Sequence, residues 1–346
     1  MANKNITIYN LEPEVFKLKR IIFLLALCLA GMLLAGCAPR PAATPAEPPA
    51  PVTLAAPAAP AIKVYTTFYP LYDFAGKIGG ERAEVAKLVP PGVSPHDWEP
   101  DPGTLSGLKA ADLLLYNGLG LEPWLDKVVG ALETTKLIPV NTTEGIEPLR
   151  GVPCGPACTP DEEEKKKKEA AGELPDPHVW LDPLLALKQA ERILESFVAA
   201  DPDSEQYYRA NFAVLKGQFE QLDAEYREAL QGKARDKFIV THLSFAYLAE
   251  RYGLKQVGIA GLSPQAEPTA RELAELVELI RAYGIRYIFQ EPLVSPRLAQ
   301  MLAAETGAGI LEINPLEGLL PEEISAGKDY FSVMRENLVQ LYRALE

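Results

Sequence analysis

Histidine is scarce in this chain. Only three occur in 346 residues, beside four cysteines, four methionines and three tryptophans. A side chain that titrates near neutrality is not used here as filler, so the position of each imidazole is informative. Basic charge is also short: Lys+Arg 34 against Asp+Glu 47 gives a formal net charge of -13 and a pI near 4.9. Such a field repels phosphate backbones and anionic lipid surfaces, which argues against nucleic acid as a partner. Apolar residues, by contrast, are plentiful. At 48% they suffice for a buried core and for two domains of ordinary size, which excludes wholesale disorder.

Long apolar runs are missing too, with one exception near the start. Lys17, Lys19 and Arg20 precede Ile21 to Ala35, a stretch too short to span a bilayer as a permanent helix but suited to an export signal. It ends Leu34-Ala35-Gly36-Cys37, which resembles a bacterial lipobox. The resemblance implies a signal peptide over residues 1–36 and a lipid-modified Cys37 as the first residue of the mature protein. Removing 1–36 takes away Lys4, Lys17, Lys19 and Arg20 but only Glu12 and Glu14, so the exported form is more acidic still. Residues 37–61 are then anchor and tether, since from Ala38 onward the chain is mostly Pro and Ala and cannot bury a core. Outside the cytoplasm disulfides are permitted. Cys154 and Cys158, spaced C-G-P-A-C, can close a small bridge; a metal site there has no neighbouring His or second Cys pair to draw on.

The body reads as α/β, in two lobes that each carry a mainly parallel sheet flanked by helices. Residues 62–203 form the first lobe. Ile62 to Phe68, Val85 to Val89 and Asp112 to Asn117 are strand-like, Leu71 to Ile78 and Pro123 to Leu132 helical. Within it lies a charged loop, 154–175, whose DEEEKKKKE run (Asp161 to Glu169) is a solvated segment rather than a metal trap. Residues 233–346 repeat the architecture: strands at Phe238 to Thr241, Tyr287 to Gln290 and Gly309 to Ile313, and helices at Phe245 to Tyr252, Thr269 to Tyr283, Pro296 to Thr306 and Tyr330 to Leu345. Between the lobes, 204–232 is a long helical pattern free of internal Pro, about 40 Å of stiff linking helix.

Each histidine sits where a ligand can be held. His96 lies in a proline-stiffened loop after a strand, His178 just ahead of a helix capped by Asp182 with Pro183 following, and His242 at the end of a strand. In open α/β sheets the loops beyond the carboxyl ends of the strands converge on a ligand crevice, so two imidazoles from one lobe and one from the other can meet between the lobes. Three neutral imidazoles suit Zn(II) and leave one tetrahedral position. A carboxylate there closes the site for capture, whereas a water leaves it open for hydrolysis.

At these residues the chain resembles a known family, the zinc- and manganese-type solute-binding lipoproteins of bacterial ABC importers. The resemblance runs from Thr66-Thr67-Phe68-Tyr69-Pro70-Leu71-Tyr72 through Asn117-Gly118-Leu119-Gly120-Leu121-Glu122, Asp176-Pro177-His178-Val179-Trp180-Leu181-Asp182-Pro183, Arg251-Tyr252-Gly253-Leu254 and Glu267-Pro268 to Tyr330-Phe331-Ser332-Val333-Met334-Arg335-Glu336-Asn337-Leu338. It implies two lobes joined by one rigid helix, and a non-enzymatic role: capture of Zn(II) as transported ligand and delivery to a cognate ABC permease with its ATPase. It also implies a monomer that touches the membrane through its lipid alone, on the outer side of the cytoplasmic membrane. The family's metal-binding positions match His96, His178 and His242. A histidine at the third position marks zinc-type members, consistent with the low place of manganese in the Irving–Williams order.

The fourth ligand is where the chain departs from its resemblance. Asn314 stands where many members have aspartate, and Glu317, three residues on, is the expected donor. Glu291 is expected either to steady a ligand from behind or to stand in as the fourth donor, as is Asn314. Members with a His-rich loop before the second histidine differ from this chain, whose segment is Asp/Glu/Lys-rich. Two alternatives stand: a manganese or iron receptor of the same family, and a secreted three-His zinc hydrolase using Glu99 or Glu291 as base. Neither H-E-x-x-H nor G-x-S-x-G occurs to support the hydrolase. With ordinary imidazoles, metal affinity should decline below roughly pH 6.5.

Overall fold

Short apolar strands alternating with helices build two four-stranded parallel sheets. The computed structural model describes residues 60–132, 135–150, 175–262, 264 and 268–346. The expected signal segment, Cys37, the tether up to residue 59, Cys154, Cys158 and the charged run at 161–169 lie outside the described residues. Among the described residues no helix is long and apolar enough to cross a membrane.

In the first sheet β1 (Ile62–Thr66) lies between β2 (Ala83–Lys87) and β3 (Leu113–Tyr116), and β4 (Ile138–Asn141) closes the far edge. All pairings are parallel, with Val64 opposite both Val85 and Leu113. In the second, β5 (Lys237–Val240) lies between β6 (Lys255–Gly258) and β7 (Tyr287–Gln290), with β8 (Gly309–Glu312) outermost. One connection order therefore occurs twice, and in each lobe the loops that leave the carboxyl ends of the strands face the same crevice.

Two edge strands and two short helices were not expected from the sequence. β4 contains Pro139, which an edge strand tolerates because its missing N–H need not complete a ladder, and β6 (KQVG) has little apolar signal because one side is unpaired. Helix α1 (Tyr69–Gly79) starts two residues before its apolar periodicity, with Pro70 in the first turn. The short helix α2 (Pro102–Leu108) takes its N-cap from Asp101, and α3 (Leu125–Leu132) covers the sheet beyond it.

Helix α4 (Pro183–Ala200) is capped as its sequence indicates: the Asp182 carboxylate accepts the N–H groups of Leu184 and Leu185. Helix α5 (Glu205–Leu230) then runs 26 residues, about 39 Å, toward the second lobe. Its buried stripe of Tyr208, Leu215, Phe219, Leu222, Tyr226 and Leu230 follows helical spacing. The second lobe adds α6 (Ala246–Arg251), α7 (Ala270–Tyr283), α8 (Arg297–Thr306), α9 (Pro321–Ser325) and the closing α10 (Tyr330–Leu345).

The core does not stop at the lobe boundary. One cluster runs from Val64 and Leu115 through Trp180 and Phe219 to Phe238, Phe289 and Leu311. Phe219 on α5 packs edge-on against Phe74 of α1 at 5.2 Å and Phe331 of α10 at 5.0 Å between ring centroids. Such pairs contribute about 0.5–1.5 kcal/mol each beyond their buried area, so the linking helix is fastened on both sides. Buried hydrogen bonds add direction: Trp180 Nε1 donates to the Pro315 carbonyl at 2.7 Å, and the Tyr330 hydroxyl donates to the Trp180 carbonyl at 2.6 Å. Wide hinge opening would break all of these contacts together.

Candidate metal centre

His96, His178, His242 and Glu317 come from four separate stretches of chain, and the structure brings them together. One donor atom from each lies within 4.8 Å of every other. His96 follows β2, His178 leads a single 3-10 turn before α4, His242 lies two residues beyond β5, and Glu317 sits in the loop after β8. His178 and His242 have no exposed side-chain area, Glu317 has 3% and His96 has 12%.

Glu317 Oε1 is the hub. It lies 3.1 Å from His242 Nε2, 3.3 Å from His96 Nε2 and 3.6 Å from His178 Nε2. A tetrahedron with bonds of about 2.0–2.1 Å has edges of about 3.3 Å, so these separations suit a zinc ion at the centre. All four atoms are buried and make no aligned hydrogen bond. Buried polar atoms in folded proteins are normally paired, so four orphans aimed at one another call for a shared partner, such as a dication.

Local sequence explains each placement. Two imidazoles are turned by carboxylates on their outer nitrogens. Asp176 Oδ1 lies 2.8 Å from His178 Nδ1 and also accepts the His178 backbone N–H at 2.9 Å. Glu291 Oε2 lies 2.6 Å from His242 Nδ1, while its Oε1 accepts the His242 N–H at 3.0 Å and the Thr241 hydroxyl. A carboxylate on Nδ1 holds the proton there and leaves the Nε2 lone pair pointing inward, the tautomer a metal requires. His96 has a different support: its N–H is donated to Ser94 Oγ at 3.4 Å, and its loop is anchored by Trp98 against Trp124, centroids 5.1 Å apart.

The His178 segment is pinned from both lobes. Asn117 Nδ2 donates to the Pro177 carbonyl at 2.9 Å, the Tyr247 hydroxyl donates to the Asp176 carbonyl at 2.7 Å, and Arg251 pairs with Asp182. Asn314 proves to be a turn former. Its Oδ1 accepts the Leu316 N–H at 2.7 Å, and Asn337 holds its backbone on both sides. Leu316 then takes a left-handed φ of 60°, a conformation of order 1–3 kcal/mol uphill, and the next residue is Glu317. Neither Asn314 nor Glu291 belongs to the four-donor group, and Glu99 is an exposed loop residue outside it.

Charge follows from this packing. Burial works to lower the His178 pKa, but Asp176, by charge and hydrogen bond, and then Glu317 raise it above the ordinary histidine value. Burial likewise opposes protonation of His242, yet Glu291 and Glu317 push it up to about 10. Glu317, which burial acts to raise, is held well below the usual carboxylate range by the three imidazoles around it. Protons therefore compete with metal at higher pH than the 6.5 expected for ordinary imidazoles.

Asp176 and Ser94 are the supporting residues that sequence reasoning missed. A shared signal was available: Ser94-Pro95-His96 and Asp176-Pro177-His178 each place an oxygen acceptor two residues before the histidine, across a proline. In both, that oxygen takes the histidine's own N–H, in the manner of an Asx or Ser/Thr turn.

Comparison with known proteins places the chain in company. The family described as zinc-uptake complex component A, periplasmic (ZnuA) matches residues 64–344. The high-affinity zinc uptake system protein ZnuA of Bacillus subtilis is 36% identical over 288 residues, covering 82% of this chain and 88% of that protein. The zinc-binding lipoprotein AdcA of Streptococcus pneumoniae is 37% identical over 284 residues, 81% of this chain but only 55% of the longer relative. The crystal structure of the Zn(II)-bound ZnuA-like domain of that species' AdcA superposes with a TM-score of 0.69 at 36% identity, covering 82% of this chain and 98% of that one.

Proposed function

Since this chain belongs to the ZnuA family of periplasmic zinc-uptake components, we propose that it captures Zn(II) outside the cytoplasm through His96, His178, His242 and Glu317 and delivers it to an ABC permease powered by its ATPase. The observation that carries the reading is the four-donor group itself: three inward Nε2 atoms and one carboxylate oxygen, buried and otherwise unpartnered. Capture rather than hydrolysis is favoured because a protein carboxylate occupies the position that a catalytic site leaves to water. Zinc over manganese or iron(II) is favoured by nitrogen donors in a four-member set.

Binding then needs no covalent step. The ion exchanges its water for three imidazoles and Glu317, and any proton on the inward nitrogens leaves as it arrives. Asp176 and Glu291 keep the rings aimed, and the shared core confines any rearrangement to loops and small lobe displacements. Lipid on Cys37 would hold a monomer at the outer face of the cytoplasmic membrane, on residues 37–61 as tether. Residues 62–203 and 233–346 act as the lobes, and 204–232 as the link.

Competition titration of chelator-stripped protein tests the reading. One Zn(II) per chain should bind more tightly than Mn(II) or Fe(II), and zinc at a thousand times Kd should add about 4 kcal/mol to stability. An unchanged melting temperature under saturating zinc would refute it, as would tighter binding of manganese.

A further inference from the structure

Resting on that reading, we infer that Ser94 is a positioning residue that sets the coordination number of the bound metal, and with it the preference for zinc. The two oxygens of Glu317 have different fates. Oε1 faces the three imidazoles at 3.1–3.6 Å. Oε2 is turned away from them and accepts a hydrogen bond from Ser94 Oγ at 3.0 Å. The hydroxyl's orientation is constrained in turn, because its oxygen accepts the His96 N–H at 3.4 Å. One lone pair is thereby engaged and the proton is directed at Glu317.

A carboxylate free to rotate can give a cation both oxygens, which is how hard cations fill shells of six or more. With Oε2 tied to Ser94, Glu317 has one oxygen to offer and the shell stays at three nitrogens and one oxygen. Four donors complete the shell of Zn(II), which has no geometric preference of its own, while an ion that favours six oxygen-rich ligands is left short. The tie is stiff. Pro95, buried between Ser94 and His96, fixes the backbone between hydroxyl and ring, and the Gly92 N–H donates to the Leu319 carbonyl at 3.3 Å, knitting the His96 loop to the loop that carries Glu317. One hydroxyl thus couples the orientation of two of the four donors.

The test uses the full chain stripped by chelator, loaded with Co(II) and read by visible absorption, which is intense for tetrahedral and weak for five- or six-coordinate cobalt. Zn(II)/Mn(II) competition is measured alongside. Wild type and Ser94→Thr should both give the tetrahedral spectrum. Ser94→Ala should give a weaker one, with the zinc-to-manganese affinity ratio down about tenfold, the order expected for losing one hydrogen bond to a charged group. Ser94 is half-buried and lies outside the helices and strands, so the alanine variant should fold; should it not, Ser94→Cys, a weaker donor, must give a weaker tetrahedral spectrum and a lower zinc-to-manganese ratio than wild type, and an unchanged spectrum and ratio would overturn the proposal. An alanine variant with the wild-type spectrum and ratio overturns the proposal. So does one that loses affinity for both metals equally while keeping the tetrahedral spectrum, since Ser94 would then serve only the His96 turn. Failure of the wild type to bind Co(II) or Zn(II) would instead refute the transport reading itself.

Discussion

Replacing Glu291 with glutamine tests how the buried imidazoles are set for metal. The change keeps shape and removes one charge. In the wild type, Glu291 Oε1 is occupied by the Thr241 hydroxyl and the His242 N–H, and Oε2 stands 2.6 Å from His242 Nδ1. Those two donors compel a glutamine to put its own oxygen where Oε1 was, so its NH2 group falls against Nδ1. An amide donor there favours the tautomer with the proton on Nε2, the atom that must face the metal.

Two magnitudes follow. His242, pushed up to about 10 largely by Glu291 against the pull of burial, favours its doubly protonated form at pH 8 in the metal-free wild type. Zinc must displace that proton, so losing the carboxylate should lower the number of protons released on binding by about one. His178 keeps Asp176 and serves as the internal control. Affinity should also fall 10–100-fold, about 1.4–2.7 kcal/mol, the usual effect of removing a carboxylate behind a ligating histidine. Isothermal titration at pH 8 in two buffers of different ionisation enthalpy reads both quantities. A variant that releases as many protons as the wild type and binds zinc as tightly would refute the assignment of Glu291 to His242.

Three further outcomes are expected. The metal-free protein should lose stability as pH rises above 7: a folded-state pKa raised above the unfolded value stabilises fully below about pH 6.5 and is lost on the way to about 10 for His242. Glu317, held low, acts in the opposite sense, its contribution being lost in acid. Melting curves of chelated protein from pH 5 to 10 check this, and a flat profile between 7 and 10 would count against it. Glu317→Ala should weaken zinc binding and leave protonated imidazoles uncompensated, destabilising the metal-free protein at pH 7 by about 3–5 kcal/mol; urea unfolding with an unchanged midpoint would contradict that. Trp180→Phe leaves the Pro315 carbonyl without its buried donor and should cost about 1–3 kcal/mol. It should still bind one zinc per chain, and a loss of stoichiometry would mean that the inter-lobe bond shapes the site directly.

What could be read from the sequence follows from what each feature rests on. The inner strands β3 and β5 are buried over most of their length and β7 at its centre, and they show as apolar runs; β1 shows as an alternation of buried and half-buried positions rich in strand formers, whereas β4 and β6, at edges, carry less signal. The long helix α5 declared itself because nothing in Glu205–Leu230 interrupts it. His96, His178 and His242 stood out because imidazoles are so few and because each precedes or follows an element whose end could be located, whereas Glu317 was expected only through the family resemblance of its segment. Residues that act through backbone carbonyls stayed hidden. Tyr247, Trp180 and Tyr330 look like ordinary core aromatics, yet each donates a hydroxyl or indole proton to a carbonyl on the opposite lobe. A carbonyl carries no side-chain signature, so no pattern of residue types could have announced these bonds. Their consequence is mechanical. The segment that bears His178 is held by Asn117 from one lobe and by Tyr247 and Arg251 from the other. Any displacement between the lobes must therefore strain the segment that carries His178.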